Sequence, residues 1–157
     1  MAVQTGRYTA QIEGDFVVFL IGMRINSLWA VHKWMPVTQT MPRMLKELYR
    51  QPELGFLRHE IFLGWRMLMT VQYWRTFDQL HAYAHARDHE HLPAWAEFNR
   101  RVVKSGAVGV FHETYLVKAG QYEAIYSDMP RFGLASAGQH VPAIGRLNTA
   151  RERLQSD

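Results

Sequence analysis

Residues 16–25 read FVVFLIGMRI, an apolar run rich in β-branched and aromatic side chains that stops at the polar Asn26. That composition and length describe a buried strand. Working forward, Pro36 opens a segment to Tyr49 in which Val37, Met41, Met44, Leu45 and Leu48 recur every three or four residues, the spacing of an amphipathic helix that stops before Pro52. Leu54 and Gly55 mark a turn. Phe56, Arg58, Glu60 and Phe62 then alternate with Leu57, His59, Ile61 and Leu63 as a strand closed by Gly64, and Met67 to Phe77 reads as the next strand. Asp78 suits a helix N-cap, with Leu80, Tyr83 and Ala84 on one face. The run RDHEHLP interrupts that helix. A second piece, Ala94 to Val103, presents Trp95, Phe98 and Val102, and Val108 to Val117 alternates as a fourth strand.

Strand, helix, two strands, helix, strand is the βαββαβ order of a ferredoxin-like α+β domain, here spanning residues 16–120. Residues 1–15 read as a polar N-terminal arm. Residues 121–157 read as a C-terminal extension, rich in Pro, Gly, Ala and Ser, with a short strand candidate at Tyr122 to Tyr126 and no core periodicity. Two helices cover one sheet face in such a domain. The other face stays apolar and bare, so a homodimer packed through the sheet faces, a dimeric α+β barrel, is expected.

With 157 residues the chain fits one domain. Its 13% aromatic content and eight Met exceed what one such core needs, so some of that surface should line a pocket or an interface. Cysteine is absent, which removes disulfides and thiolate chemistry. The polar N-terminus and the shortness of the apolar run Phe16 to Met23 predict a cytoplasmic protein with no membrane partner. The net charge of +4 comes from scattered Lys and Arg without a block, which argues against nucleic acid. Arg43, Lys46, Arg50, Arg100, Arg101 and Lys104 read as solvated helix faces.

Eight histidines are distributed unevenly. His81, His85 and His89 recur every four residues, a spacing that can chelate a metal, but without an HExxH-type carboxylate the pattern better fits a solvated helix end. His112 lies mid-strand in FHETYLV, where it needs a partner wherever it points, and His91 follows the RDHEH break. Asn26 to Trp34, NSLWAVHKW, concentrates Trp29, His32 and Trp34. It could close a cavity mouth, with His32 as a base, although anchors at a dimer contact explain the aromatics slightly better.

Residues 71–102, VQYWRTFDQLHAYAHARDHEHLPAWAEFNRRV, resemble the helix-entry region of dimeric α+β barrel families related to antibiotic-biosynthesis monooxygenases, where a Tyr-Trp pair and a TFDQL-like turn start the second helix. From Arg7 to Arg153, through GMRIN, WAVHKW, MPRML, HLPAW, FNR, HETYLV and MPRFGL, the chain resembles a bacterial family of monooxygenase-like proteins. From His91 to about Val117 it also resembles haem-containing phenylacetaldoxime dehydratases. That second resemblance implies His91 as the haem-iron ligand and metal site, with His112 and Glu113 on the distal side as acid/base groups. The first implies no cofactor at all: an electron-rich aromatic substrate that itself reduces oxygen, held by Arg24, Asn26, Trp29, His32, Trp34, Trp74, Phe111 and His112. Under either, the ligand is a small hydrophobic or aromatic molecule. A binding or stress protein using the same cavity without turnover is the third expectation.

Overall fold

The structure, a computed structural model, describes residues 2–86 and 105–155. The elements are β1 (Gln4–Gln11), β2 (Phe16–Ile25), α1 (Val31–Arg50), β3 (Phe56–Gly64), β4 (Met67–Trp74), α2 (Phe77–His85), β5 (Val108–Val117), β6 (Tyr126–Met129), α3 (Leu134–Ala137), β7 (Gln139–Pro142) and α4 (Ala150–Gln155). Strands β2 to β5 make one antiparallel sheet in the order β3-β4-β2-β5, so the FVVFLIGMRI run is paired on both sides. With α1 and α2 as crossovers this is an α+β fold of the ferredoxin-like kind.

Strand alternation sorts the side chains. Val17 packs with Leu45 and Leu48 of α1, Leu80 and Tyr83 of α2, Phe56 and Trp74, so the odd-numbered positions of β2 face the helices. Leu48 and Val17 are 2% exposed and Trp74 1%. Burying a Val or Leu side chain fully is worth about 1.5–3 kcal/mol, so this cluster anchors both helices to the sheet. Gly22 faces the other way, where the ring of Phe111 lies so close that a β-carbon there would stand 2.6 Å from it.

Both helix starts differ from the sequence expectation, and β4 stops at Trp74, short of the expected Phe77, which instead opens α2. Helix α1 begins at Val31, well ahead of Pro36, because Trp34 and Val37 pack on the Met23–Val108 cluster and hold the first turns in place. Pro36 and Pro42 sit inside it, and the Thr38 and Thr40 hydroxyls donate to the Met35 and Pro36 carbonyls at 2.7 and 3.1 Å. Helix α2 starts at Phe77 with Thr76 as its cap, whose Oγ1 accepts from the Gln79 N–H at 3.1 Å, in place of Asp78. The helical piece expected at 94–103 lies outside the described residues.

The arm and the extension also differ from expectation, because together they build a second sheet. Strand β1 is the centre of a three-stranded antiparallel sheet, β6-β1-β7. Strands of four residues are too short for a periodicity to show in sequence, and the strand candidate at Tyr122 to Tyr126 gives way to Tyr126–Met129. Ala10, Ile12, Leu134 and Ala135 bury against Phe16, with Val18, Tyr73 and Val117 beside them, on the face of the large sheet that the helices leave free. Glu60 Oε1 fixes α3 there by accepting from Gly133 N–H and the Ser136 hydroxyl, each at 2.9 Å. Arg153, 8% exposed, is ion-paired with Glu123 and donates to the Leu147 and Asn148 carbonyls. The expected bare sheet face is therefore covered at one end by the chain itself.

Candidate functional site

On the helix-facing side of the large sheet, two cross-strand rows run from edge to edge. One holds His59, Gln72, Phe19 and Thr114, and the next holds Ile61, Thr70, Ile21 and His112. The central strand supplies a buried polar ladder: Trp74 Nε1 donates to Gln72 Oε1 at 3.0 Å, and Gln72 Nε2 donates to Thr70 Oγ1 at 3.2 Å and to Met41 Sδ at 3.7 Å. Thr70 and Gln72 are 2% and 4% exposed, so the ladder is fixed and largely dry. A histidine stands at each edge of this belt. His112 is exposed with its ring centroid 5.8 Å from Phe19, while half-buried His59 hydrogen-bonds the Tyr49 hydroxyl through Nδ1 at 2.9 Å. Burial, helped by Arg58 and opposed by Glu60, holds the His59 imidazole below its ordinary range.

The sequence candidates do not all meet there. His112 and Glu113 were expected to share one polar side, but neighbours in a strand point to opposite faces. Glu113 lies on the far face, where it accepts from the Tyr115 hydroxyl, and Phe111 lies there too, over Gly22. Trp74 is core, against Phe56 and Tyr83, rather than cavity lining. Asn26 is a structural tie: its Nδ2 donates to the Gly106 carbonyl at 3.0 Å and its Oδ1 accepts from Arg24 at 2.6 Å. Trp34 is half-buried on the helix side with Nε1 donating to the Leu28 carbonyl at 3.1 Å. His32 and Trp29 are exposed, and Trp29 is outside any packing at 95%. His91 lies outside the described residues.

His81 and His85 stack at 4.1 Å between centroids, and His85 Nδ1 lies 2.8 Å from the His81 carbonyl, which is a helix-end arrangement. Among the described residues no group of three or more His, Asp or Glu could hold a metal ion. Sequence reasoning overlooked His59, Thr70 and Gln72 as a set. The signal was present: Leu68, Thr70, Gln72 and Trp74 are the alternate positions of β4, and two polar residues on a helix-covered face need each other.

Residues 16–134 match the sequence profile of a family described as monooxygenase af470-like. The chain belongs to this family. The match spans the whole four-stranded sheet and both its helices and reaches the start of α3. The chain is 28% identical over 141 residues to monooxygenase af470 of Aspergillus fumigatus, an alignment covering 77% of this chain and 50% of the relative. It thus spans about half the length of the curated relative it matches. Among solved structures, SnoaB from Streptomyces nogalater, a cofactor-independent oxygenase, shares 16% identity and a TM-score of 0.46 over 64% of this chain and 91% of that one. A putative antibiotic biosynthesis monooxygenase from Nitrosomonas europaea shares 10% identity and a TM-score of 0.45 over 69% and 94%. The expected monooxygenase-like family is borne out, whereas the finer likeness to haem dehydratases finds no support in these relatives.

Proposed function

We propose that this chain is a cofactor-independent monooxygenase acting on a small electron-rich aromatic molecule against the helix-facing belt of the large sheet. The observation that carries this reading is the family match over residues 16–134. The belt suits the chemistry, since Phe19 and Ile21 offer apolar surface backed by the buried Thr70–Gln72–Trp74 ladder, and His112 stands against Phe19 as a base. The base takes a proton from an activated C–H or O–H of the substrate. The resulting anion reduces dioxygen, oxygen adds at carbon, and loss of water leaves a carbonyl. In balance, one methylene group and one dioxygen molecule become one carbonyl group and one water, with the substrate as the reductant and no external electron donor.

Two copies pair, in this reading, through the part of the far face that α3 and the second sheet leave free, where Phe62, Met67 and Tyr115 are exposed and Leu20, Val71 and Phe111 half-buried. No described helix is long and apolar enough to cross a membrane.

Oxygen uptake with anthrone-like and dihydroxyaromatic compounds, in chelated buffer without added cofactor, tests the activity. Turnover that falls about 100-fold in His112→Ala, with folding intact, is the expected result. Saturable binding without oxygen uptake across the panel would leave a binding protein instead. A Soret band in the protein as isolated, abolished by His91→Ala, would replace this reading with the haem one.

A further inference from the structure

We propose that the end of the domain carrying Trp29 and Trp65 docks on an anionic lipid surface. Trp29 is 95% exposed, Trp65 85% and Leu63 80%. They belong to one end of the large sheet, because the β3–β4 turn is tied to the end of β2: Arg66 O accepts from Ile25 N–H at 2.8 Å, and Arg24 pairs with Met67. The loop after β2 is tied in turn to the start of β5, Asn26 and Ser27 N–H both donating to Ala107 O at 2.9 and 3.1 Å. This rigid platform presents large apolar side chains that have no packing function in the chain. Indole left in water contributes nothing to folding, so its surface is available to something else.

Charge identifies the occupant. No Asp or Glu occurs between Asp15 and Glu47, between Glu60 and Asp78, or between Glu97 and Glu113, so among the described residues every segment forming this end lacks a carboxylate. The same segments carry Arg24, Lys33 and Arg66, the last with its guanidinium 6.0 Å from the Trp65 ring centre. Carboxylates gather elsewhere: Asp15 is ion-paired with Lys118 at the opposite end of β2 and β5. Exposed tryptophans beside unneutralised cations match the interfacial layer of a membrane, where indole sits among headgroups and Lys and Arg meet anionic phosphate. The sequence expectation of no membrane partner rested on the missing span and did not weigh where these side chains stand.

Flotation with vesicles tests this, independently of any oxygenase activity. The full chain should float with vesicles of phosphatidylcholine containing about one third phosphatidylglycerol, and about tenfold less with phosphatidylcholine alone or in high salt. Trp29→Ser/Trp65→Ser should lower binding about tenfold with an unchanged circular dichroism spectrum. Lys33→Glu, which leaves every indole in place, should lower it severalfold and serves if the double variant fails to fold. No flotation, equal binding to neutral vesicles, or binding that survives both variants overturns the proposal. So does an oligomer of the wild type that the double variant converts to monomer, which would assign this end to a contact between copies.

Discussion

Gly138→Ala tests whether the second sheet is an integral part of the domain. Gly138 lies between α3 and β7, and a β-carbon built there stands 2.3 Å from the Gln11 carbonyl oxygen and 3.1 Å from Ile12 Cβ, whereas ordinary contact begins at 3.4 Å. The overlap is about an ångström against backbone, not against a rotatable side chain. Gln11 is paired with Gln139 in the ladder, so its peptide cannot swing away without opening β1–β7. Overpacking of this sort costs about 2–3 kcal/mol. For a chain of this length that corresponds to a loss of about 4–12 °C in melting temperature. Thermal melts followed by circular dichroism measure it, with Gly64→Ala as control, where the nearest atom is 3.7 Å away and the change should stay within about 0.5 kcal/mol. A Gly138→Ala protein that melts with the wild type would show that β7 is not held against β1, and one end of the far face would then lose its cover.

Trp74→Phe should destabilise the protein by about 1–3 kcal/mol in urea unfolding, because the Gln72 Oε1 it leaves behind is buried without its donor; an unchanged midpoint would dissolve the ladder as an organising feature. Two histidines bind protons less readily in the fold than in the unfolded chain, His59 chiefly through burial and His140 through burial and Arg131. The unfolded state therefore takes up protons first as pH falls below the ordinary histidine value of 6.5, so stability is full above that value and declines as pH drops through the lower folded values. Urea midpoints should fall between about pH 7.5 and about pH 5, and His59→Gln should shallow that fall; a steeper one would reverse the sign argued here.

The central domain was legible because its signals are long. Ten-residue β2 and β5 and the alternation of β3 set the strands, and the three-and-four spacing from Val37 to Leu48 set the body of α1. What misled was local chemistry that tertiary contact overrode: Pro36 reads as a helix start, yet Trp34 and Val37 are pulled into the Met23 cluster and extend the helix back to Val31. The second sheet was illegible because β6 and β7 are short and pair with β1 across nearly the whole chain, Tyr8 with Pro142 and Gln4 with Met129. In the candidate site, His112 emerged from its unusual setting, but its grouping with Glu113 and Phe111 followed adjacency in sequence where parity along the strand decides. The same parity would have found His59 and Gln72, which register only when three strands are aligned.

Strand β1 carries an implication for how the molecule is made. Both of its hydrogen-bonding edges are filled by strands that follow the whole four-stranded unit in sequence. During synthesis β1 must wait, unpaired, until β6 and β7 have followed, while the ferredoxin-like unit between them can already collapse. The late closure acts as a clasp, and a truncated product, lacking β6 and β7, would be recognisable by a β1 segment left open to proteolysis.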